Sequence, residues 1–373
     1  MNIAPAGHEL SDRQRLNWLR LIRTENIGPA TFRDLINRFG SAEAAIEMLP
    51  SLVRQGGGKR LLKVPPIAQV EAELEAAERT GARFVALGEP DYPAILRRSD
   101  SPPPLLAIKG NARVFARPAV AIVGARNASL AGIRMARLLA RQLGEEGYAV
   151  VSGLARGIDA AAHEGSLSTG TVAVLAGGID RPYPPENFGL LARLSEEGGA
   201  VVSEMPFGWE PRAKDFPRRN RIVAGLAHGL VVVEAAMRSG SLISARMAGE
   251  LGRIVFAVPG SPLDPRAAGA NGLLKDGAIL VTEVADITNA LATQIGMRAP
   301  MPPQLETPPA EPILPPDETD RDRVMEALGP TPVSLDEIIR HTGLHASQVA
   351  LILVELDLAG RLERHAGGNV SMV

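Results

Sequence analysis

The sequence predicts an α/β protein with a central doubly wound, extended Rossmann-like parallel sheet, flanked by two smaller helical modules. From about residue 112 to 296, short runs of Val, Ile and Ala alternate with amphipathic helical runs. This alternation is typical of parallel strands that are covered by helices on both faces. A proline-rich stretch follows this region. Short helices with capping signals are predicted before the sheet region and after the proline-rich stretch.

The first module, residues 1–80, is predicted to be helical. Ser11 caps a first helix, the sequence NIGP (26–29) interrupts it, and a second amphipathic helix runs to Gly40. Two short helices around an Ile-Gly-Pro turn resemble a helix-hairpin-helix (SAM-like) unit, whose turn amides can hold a phosphate. A plain scaffold of three or four helices fits equally well. The stretch GGGKR (56–60) lacks the first Gly and the final Ser or Thr of a Walker A loop.

The central domain, residues 81–298, contains seven apolar runs that we predict to be strands. They are AVAIVG (119–124), YAVVSG (148–153), TVAVLAGG (171–178), AVVSE (200–204), GLVVVEA (229–235), RIVFAVPG (253–260) and GAILV (277–281). In a doubly wound sheet, ligands bind beyond the C-terminal ends of the strands, where loops lead into helix N-termini.

Small residues and arginines follow four of these predicted strands. They are Gly124 and Arg126; Ser152, Gly153, Arg156 and Gly157; Gly177 and Gly178; and Arg238, Ser239, Gly240 and Ser241. Small residues let a ligand approach the backbone, helix N-terminal amides attract phosphate, and arginines form forked hydrogen bonds to it. No strand is followed by G-x-G-x-x-G, so we expect no dinucleotide cofactor.

The densest positive charge lies in FPRRNRIVAG (216–225), between the fourth and fifth predicted strands. Its arginines are Arg218, Arg219 and Arg221. We expect them near the C-terminal edge of the sheet, just ahead of a crossover helix. Because the formal net charge of the chain is only −2, a polyanion would have to be bound by such a local patch.

The C-terminal region begins with a predicted semi-rigid linker, residues 299–318, which holds eight prolines. Residues 319–373 have the order helix, helix, turn, helix and small hairpin, which is typical of a winged helix-turn-helix. Ser334 opens the second of these helices with a capping-box pattern. The would-be recognition helix, 345–360, contains no Lys or Arg, so a module for protein contacts is favoured over a reader of duplex DNA.

The composition excludes several kinds of binding site and of cellular location. The chain has 373 residues, 45% of them hydrophobic, and no cysteine, so disulfides and thiolate metal sites are excluded. The first residues contain no apolar signal region, and no apolar run has the length of a membrane span. We therefore expect a cytoplasmic protein without membrane contacts, and no metal site can be assembled from the sequence.

These motifs, in this order along the central domain, resemble the DNA-processing protein A family (DprA, also called Smf). The motifs are IVGAR, SGLARGIDAAAH, TVAVLAGGID, YPPEN, SE, FPRRNRIVAGL, VVVEAAMRSGSLISARMAGELGR and VFAVPG. The resemblance implies a protein that binds and protects single-stranded DNA and loads the RecA recombinase on it during natural transformation. It also implies a homodimer through the central domain and no catalytic activity.

The resemblance also implies which residues contact the DNA. They are Gly124, Arg126, Ser152, Gly153, Arg218, Arg219, Asn220, Arg221, Ser239, Gly240 and Ser241. Arg219 matches the family pattern only as a tolerated basic residue. Phe216 and Trp209 are the candidates for stacking on bases, and binding through phosphates should tolerate any base sequence and weaken with salt.

Two other hypotheses remain open. The first is an enzyme like the nucleoside-monophosphate phosphoribohydrolases, whose fold is related and whose catalytic Glu lies in G-T-x-x-E. Here Ser244 stands at the Glu position, although Asp159 and His163, four residues apart, could form an acid–base pair. The second is a duplex-specific regulator that acts through the winged helix, and the ten acids against five arginines in residues 317–373 argue against it.

Overall fold

The computed structural model of the chain describes residues 9–296 and 316–373. It divides the chain into two compact units, Ala72–Arg298 and the combination of Met1–Glu71 with Ala299–Val373. Most of the predicted linker, 299–318, lies outside the described residues. Within the described ranges, no helix combines the length and the hydrophobicity that a membrane span requires.

The α-helices of the described residues, in chain order, are α1 (Asp12–Ile22), α2 (Pro29–Phe39), α3 (Ala42–Gln55), α4 (Ile67–Arg79), α5 (Leu130–Glu145), α6 (Ile158–Ser166), α7 (Phe188–Glu196), α8 (Asp215–Gly225), α9 (Gly240–Glu250), α10 (Ala268–Lys275), α11 (Val284–Gly296), α12 (Glu318–Ala327), α13 (Leu335–Thr342) and α14 (Ala346–Leu358). The strands are β1 (Ala82–Ala86), β2 (Leu105–Gly110), β3 (Ala119–Val123), β4 (Ala149–Ser152), β5 (Thr171–Val174), β6 (Ala200–Ser203), β7 (Gly229–Val232), β8 (Ile254–Ala257), β9 (Ile279–Leu280), β10 (Val333–Ser334), β11 (Leu362–Arg364) and β12 (Asn369–Met372).

The central sheet has nine strands in the order β1-β2-β6-β5-β4-β3-β7-β8-β9. All pairings from β6 to β9 are parallel, which confirms the doubly wound α/β prediction. The edge differs from the prediction, because β1 and β2 add two antiparallel strands beside β6. These two strands were not predicted, because they lie outside the strand–helix alternation that begins at about residue 112.

The order of the strands places the switch point of the sheet between β3 and β7. From β3 the chain winds outward through β4, β5 and β6, and from β7 it winds the other way through β8 and β9. The loops after β3 and β7 therefore diverge and leave a crevice, which is where ligands bind in this class of sheet. One face is packed by α5 and α6, whose core residues include Leu139 and Leu143 against Val120 and Val150.

The second unit joins the two ends of the chain. Helices α2 and α3 pack against α14, α1 packs on α2 and α3, and Leu351, Val354 and Leu358 of α14 belong to the N-terminal core. The opposite side of α14 lies in the core of the winged helix, together with the three-stranded sheet β10-β12-β11. Because α14 is buried on both sides, the helix that would read duplex DNA is covered by the N-terminal helices.

The GGGKR stretch has a packing role in this unit. A Cβ at Gly56 would lie 2.0 Å from the carbonyl oxygen of Glu355, so the end of α3 can approach the backbone of α14 this closely only with glycine. Arg361 donates a 3.3 Å hydrogen bond to the carbonyl of Gly56. The predicted capping box is confirmed, because Ser334 and Glu337 exchange hydrogen bonds at the start of α13.

Candidate nucleic-acid interface

The loop after β4, residues 153–156, is held in place by two side chains. The carboxylate of Asp159 accepts hydrogen bonds from the amides of Gly153 at 3.1 Å and Ala155 at 3.3 Å. The amide of Asn187 donates to the carbonyls of Leu154 at 2.8 Å and Ala155 at 3.2 Å. Leu154 adopts a left-handed conformation, with φ of 59°. The loop is therefore a preformed part of the sheet edge.

A pocket opens beside this loop, with an aromatic ring as its centre. Phe216 lies with its ring centroid 5.2 Å from the guanidinium carbon of Arg126, and its edge contacts Tyr183 at a centroid distance of 5.9 Å. The pocket is lined by Arg126, Gly153, Ala155, Arg156, Tyr183, Pro184, Phe216 and Arg219. A half-buried aromatic ring, positive charge and the backbone of a tight loop thus meet at the C-terminal edge of the sheet.

The predicted arginine cluster lies within α8 and not in a loop ahead of a helix. Helix α8 begins at Asp215, whose carboxylate accepts hydrogen bonds from the indole of Trp209 and the amide of Arg212, both at 2.9 Å. Pro217 falls in the first turn, where a missing amide hydrogen is tolerated. The arginines therefore point to different sides of one helix.

Two of the arginines share one carboxylate. Glu204, at the end of β6, accepts a 2.8 Å hydrogen bond from Nε of Arg218 and another from Arg221. Arg221 also donates a 2.7 Å bond to the carbonyl of Ser101, and its side chain is only 24% exposed. The side chain of Arg218 remains 44% exposed. Arg218 is therefore the member of the pair that faces solvent.

The third arginine of the cluster is buried. Arg219 is 6% exposed and donates a 3.2 Å hydrogen bond to the carbonyl of Val174, at the end of β5. Burial lowers the pKa of its guanidinium, and the negative charge of Asp159 opposes that shift. It lies next to Gly153 at the floor of the pocket, with little of its surface exposed.

The remaining predicted residues contribute mainly backbone and caps. Ser152 is buried and donates its hydroxyl to the carbonyl of Ile122 at 2.6 Å. Gly124 ends β3, and a Cβ there would lie 2.6 Å from Ile158. These two positions can offer a ligand only main-chain groups.

At the start of α9, Ser239 is the N-cap and accepts a 3.3 Å bond from the amide of Ser241. Asn220 reaches from α8 to the carbonyl of Gly240 at 3.5 Å. This contact links the arginine helix to the strand-end helix and aligns the two.

The pair Asp159 and His163 is internal. His163 is fully buried, its Nδ1 lies 2.7 Å from the hydroxyl of Thr171, and burial lowers its pKa to about 3. Burial raises the pKa of Asp159, whose carboxylate accepts the hydrogen bonds of the loop amides. In the described ranges, no cluster of three potential metal-binding side chains occurs. Asp159 supports the loop from inside the domain, and His163 contacts Thr171 at the start of β5.

Four residues of this edge were absent from the predicted site. They are Tyr183, Pro184, Asn187 and Glu204. The motifs YPPEN and SE contain all four, so the signal was present in the sequence. Arg156 was predicted at the strand end, although not among the DNA contacts. Arg156 is partly neutralised, because its guanidinium lies 3.4 Å from the carboxylate of Glu186.

Comparison with known proteins gives matches along the whole chain. The sequence model of DNA recombination-mediator protein A matches residues 83–292, a DprA-like N-terminal HHH domain matches 12–76, and a DprA winged helix domain matches 308–368. Protein Smf of Escherichia coli is 34% identical over 366 residues, which covers 95% of each chain. A putative DNA processing protein DprA of Mycobacterium tuberculosis is 36% identical over 371 residues, covering 94% of this chain and 92% of the relative.

Two solved structures are also similar. DNA processing protein A (DprA) from Streptococcus pneumoniae superposes with a TM-score of 0.58 and 33% identity, covering 75% of this chain and 93% of that chain. DNA processing protein A from Helicobacter pylori, described for its unique single-stranded DNA binding mode, gives a TM-score of 0.52 and 27% identity over 57% of this chain and 96% of that chain. With its three domains matched and its sheet and flanking modules in the same order, the chain belongs to the DNA recombination-mediator protein A (DprA/Smf) family.

Proposed function

We propose that the protein binds single-stranded DNA at the C-terminal edge of the central sheet and does not cleave it. The observation that carries this proposal is the pocket at Phe216, where a half-buried ring lies against the guanidinium of Arg126 and the ring of Tyr183. Bases that are unpaired can stack on such a ring, while bases inside a duplex cannot reach it. The single-strand binding of the Helicobacter pylori relative supports the same class of ligand.

Charge at the same edge fits a phosphate chain. Arg126 lines the pocket and Arg218 is 44% exposed on the neighbouring helix. Phosphate contacts carry no base information, so binding should be tolerant of sequence and sensitive to salt. The winged helix offers no alternative surface of this kind, because α14 is buried on both sides and has no basic residue.

We extend the proposal to the finer role that the family resemblance implies. The protein would protect incoming single strands in the cytoplasm, load RecA on them during natural transformation, and act as a homodimer through the central domain. Large apolar side chains that are exposed on that domain, Met237 at 67% and Leu263 at 94%, support a protein contact there. Light scattering of the purified chain, alone and as Met237→Glu, tests the dimer.

The test of the main proposal compares oligo-dT with a duplex of equal length at two salt concentrations. We expect tight binding of oligo-dT that weakens at high salt, and weak binding of the duplex. Preference for the duplex would contradict the proposal.

The alternative of a phosphoribohydrolase is disfavoured by the side chain that replaces its catalytic Glu. Ser244 is buried in α9, with 2% of its surface exposed, and a hydroxyl there supplies no general acid. Release of free base from AMP by the clean protein would support the enzyme hypothesis instead.

A further inference from the structure

We propose that Arg219 is a positioning residue of the DNA site, which fixes the loop 153–156 and the ring of Phe216 from inside the domain without touching DNA. The inference rests on the proposed single-strand binding. It assigns a different task to one of the arginines that the sequence places at the surface.

Burial separates Arg219 from its neighbours on α8. It is 6% exposed, whereas the side chain of the adjacent Arg218 is 44% exposed. Its guanidinium donates to the carbonyl of Val174, beneath the ends of the strands. It forms part of the floor of the Phe216 pocket, where little of its surface is exposed.

The loop backbone lies directly on the guanidinium. A Cβ placed on Gly153 would fall 1.3 Å from a terminal nitrogen of Arg219. No other atom near Gly153 is as close, so the arginine occupies the space that any larger residue at 153 would need. Glycine is required here because of the arginine below it, in addition to any ligand above it.

The positive charge of Arg219 also stabilises the loop 153–156 indirectly, through Asp159. Asp159 is buried, and the positive charge of Arg219 favours its ionised form against the cost of burial. The ionised carboxylate is the acceptor for the amides of Gly153 and Ala155. Arg219 therefore supports the loop by contact and also through the anion that binds it.

The arginine also reaches the aromatic ring of the pocket. Its guanidinium carbon lies 6.0 Å from the centroid of Phe216, which is three residues earlier on the same helical side. The exposed Arg126 lies 5.2 Å from the same centroid. A buried and an exposed cation thus both lie near the ring, and the buried one helps to fix the position of the ring in the absence of DNA.

The experiment uses the full chain with Arg219→Met and, as a matched control, Arg218→Ala. Hydrogen exchange of the peptide that contains 153–156 is measured without DNA, followed by oligo-dT affinity across a salt series. We expect exchange in that loop to be about tenfold faster in Arg219→Met and unchanged in Arg218→Ala. We expect weaker affinity in both, with the slope of log K against log salt unchanged for Arg219→Met and flatter by about 0.7 for Arg218→Ala.

Unchanged exchange in Arg219→Met would overturn the proposal, and so would a flatter salt slope, since that would show a direct phosphate contact. If the wild-type chain failed to bind oligo-dT, the proposed function would fall while the exchange comparison still decided the positioning role. Loss of one of two interacting buried charges can unfold a domain. In that case Arg219→Met/Asp159→Asn is compared with Asp159→Asn alone: faster loop exchange in the double variant is expected, and equal exchange in the two would overturn the proposal.

Discussion

The hydroxyl of Thr31 donates a 2.5 Å hydrogen bond to the carboxylate of Asp357, which lies 326 residues further along the chain. Asp357 also accepts a 2.8 Å bond from Arg364, and Arg364 reaches Asp34 at 3.3 Å. This polar network surrounds the apolar contact of α14 with the N-terminal helices. The winged helix and the helical hairpin of this chain are therefore partners of each other.

Leu358→Ala should destabilise the unit formed by the two chain ends by about 2–5 kcal/mol, because the leucine is 1% exposed and belongs to the shared N-terminal core. Urea denaturation measures the loss, and oligo-dT affinity should stay unchanged, since the DNA site lies in the other unit. Ile352→Ala is the matched control, as it removes apolar volume from the winged-helix core only. A fall in DNA affinity with Leu358→Ala would place part of the DNA site in this unit.

Arg218→Ala and Arg221→Ala should separate a DNA contact from a structural one. Arg218 is the exposed member of the pair on Glu204, and its loss should weaken oligo-dT binding by about 1.5–3 kcal/mol with an unchanged melting temperature. Arg221 donates hydrogen bonds to the carbonyl of Ser101 and the carboxylate of Glu204. Its loss should therefore lower the melting temperature and leave the salt dependence of oligo-dT binding nearly unchanged. The reverse pattern would show that Arg221 faces the DNA.

Phe216→Ala should weaken oligo-dT binding by about 1–3 kcal/mol, the range for losing one base stacked on an aromatic side chain. The salt slope should not change, because the ring carries no charge. Fluorescence anisotropy at several salt concentrations gives both quantities. Phe216→Tyr keeps the ring and serves as the control, and equal losses in the two variants would argue against stacking.

Gly153→Ala should destabilise the central domain by about 1–3 kcal/mol through overpacking, because its methyl group would meet Arg219. Gly249→Ala is a suitable control, since a Cβ at that helical position meets no atom within 4 Å beyond its chain neighbours and the adjacent backbone of its own helix, and it should be neutral or slightly stabilising. Thermal melts of both variants test the difference. Equal stability of the two would mean that Arg219 moves aside easily.

Stability should fall as the pH drops below about 6.5, in part because of His163. Its pKa is lowered to about 3 in the folded protein, chiefly by burial and secondarily by Arg219, so the unfolded state binds the proton first. The expected loss is up to about 1.4 kcal/mol per pH unit below the unfolded pKa. Urea denaturation at pH 7.5 and 5.0 should show a smaller difference for His163→Gln than for the wild type.

The sequence was sufficient for those parts of the fold that depend on local pattern. The strands from β3 to β9 follow β-branched runs, and Ser11 and Ser334 cap helices as expected. The antiparallel edge of the sheet was harder to predict from the sequence, because β1 and β2 are separated by a long connection with three consecutive prolines. The packing of α14 on the N-terminal helices joins residues hundreds of positions apart, and no local pattern carries that information.

The candidate site could likewise be predicted only in part from the sequence. Its place at the strand ends follows from the topology, but the task of each arginine does not. On a helix, Arg218 and Arg221 lie on one side and Arg219 points about 100° away. Which of the three arginines is buried therefore depends on the residue at which α8 begins. The pairing with Glu204 depends on a strand end in another part of the sequence, and only the fold brings it to α8.

The shared helix α14 has a consequence for synthesis. A ribosome makes α1, α2 and α3 long before α14, so their core lacks Leu351, Val354 and Leu358 until α14 has emerged. At about 5–20 residues per second, the N-terminal helices wait on the order of 15–60 s for the segment that completes them. During that interval their apolar face is open to solvent and to chaperones, and the central domain has time to fold before the two ends meet.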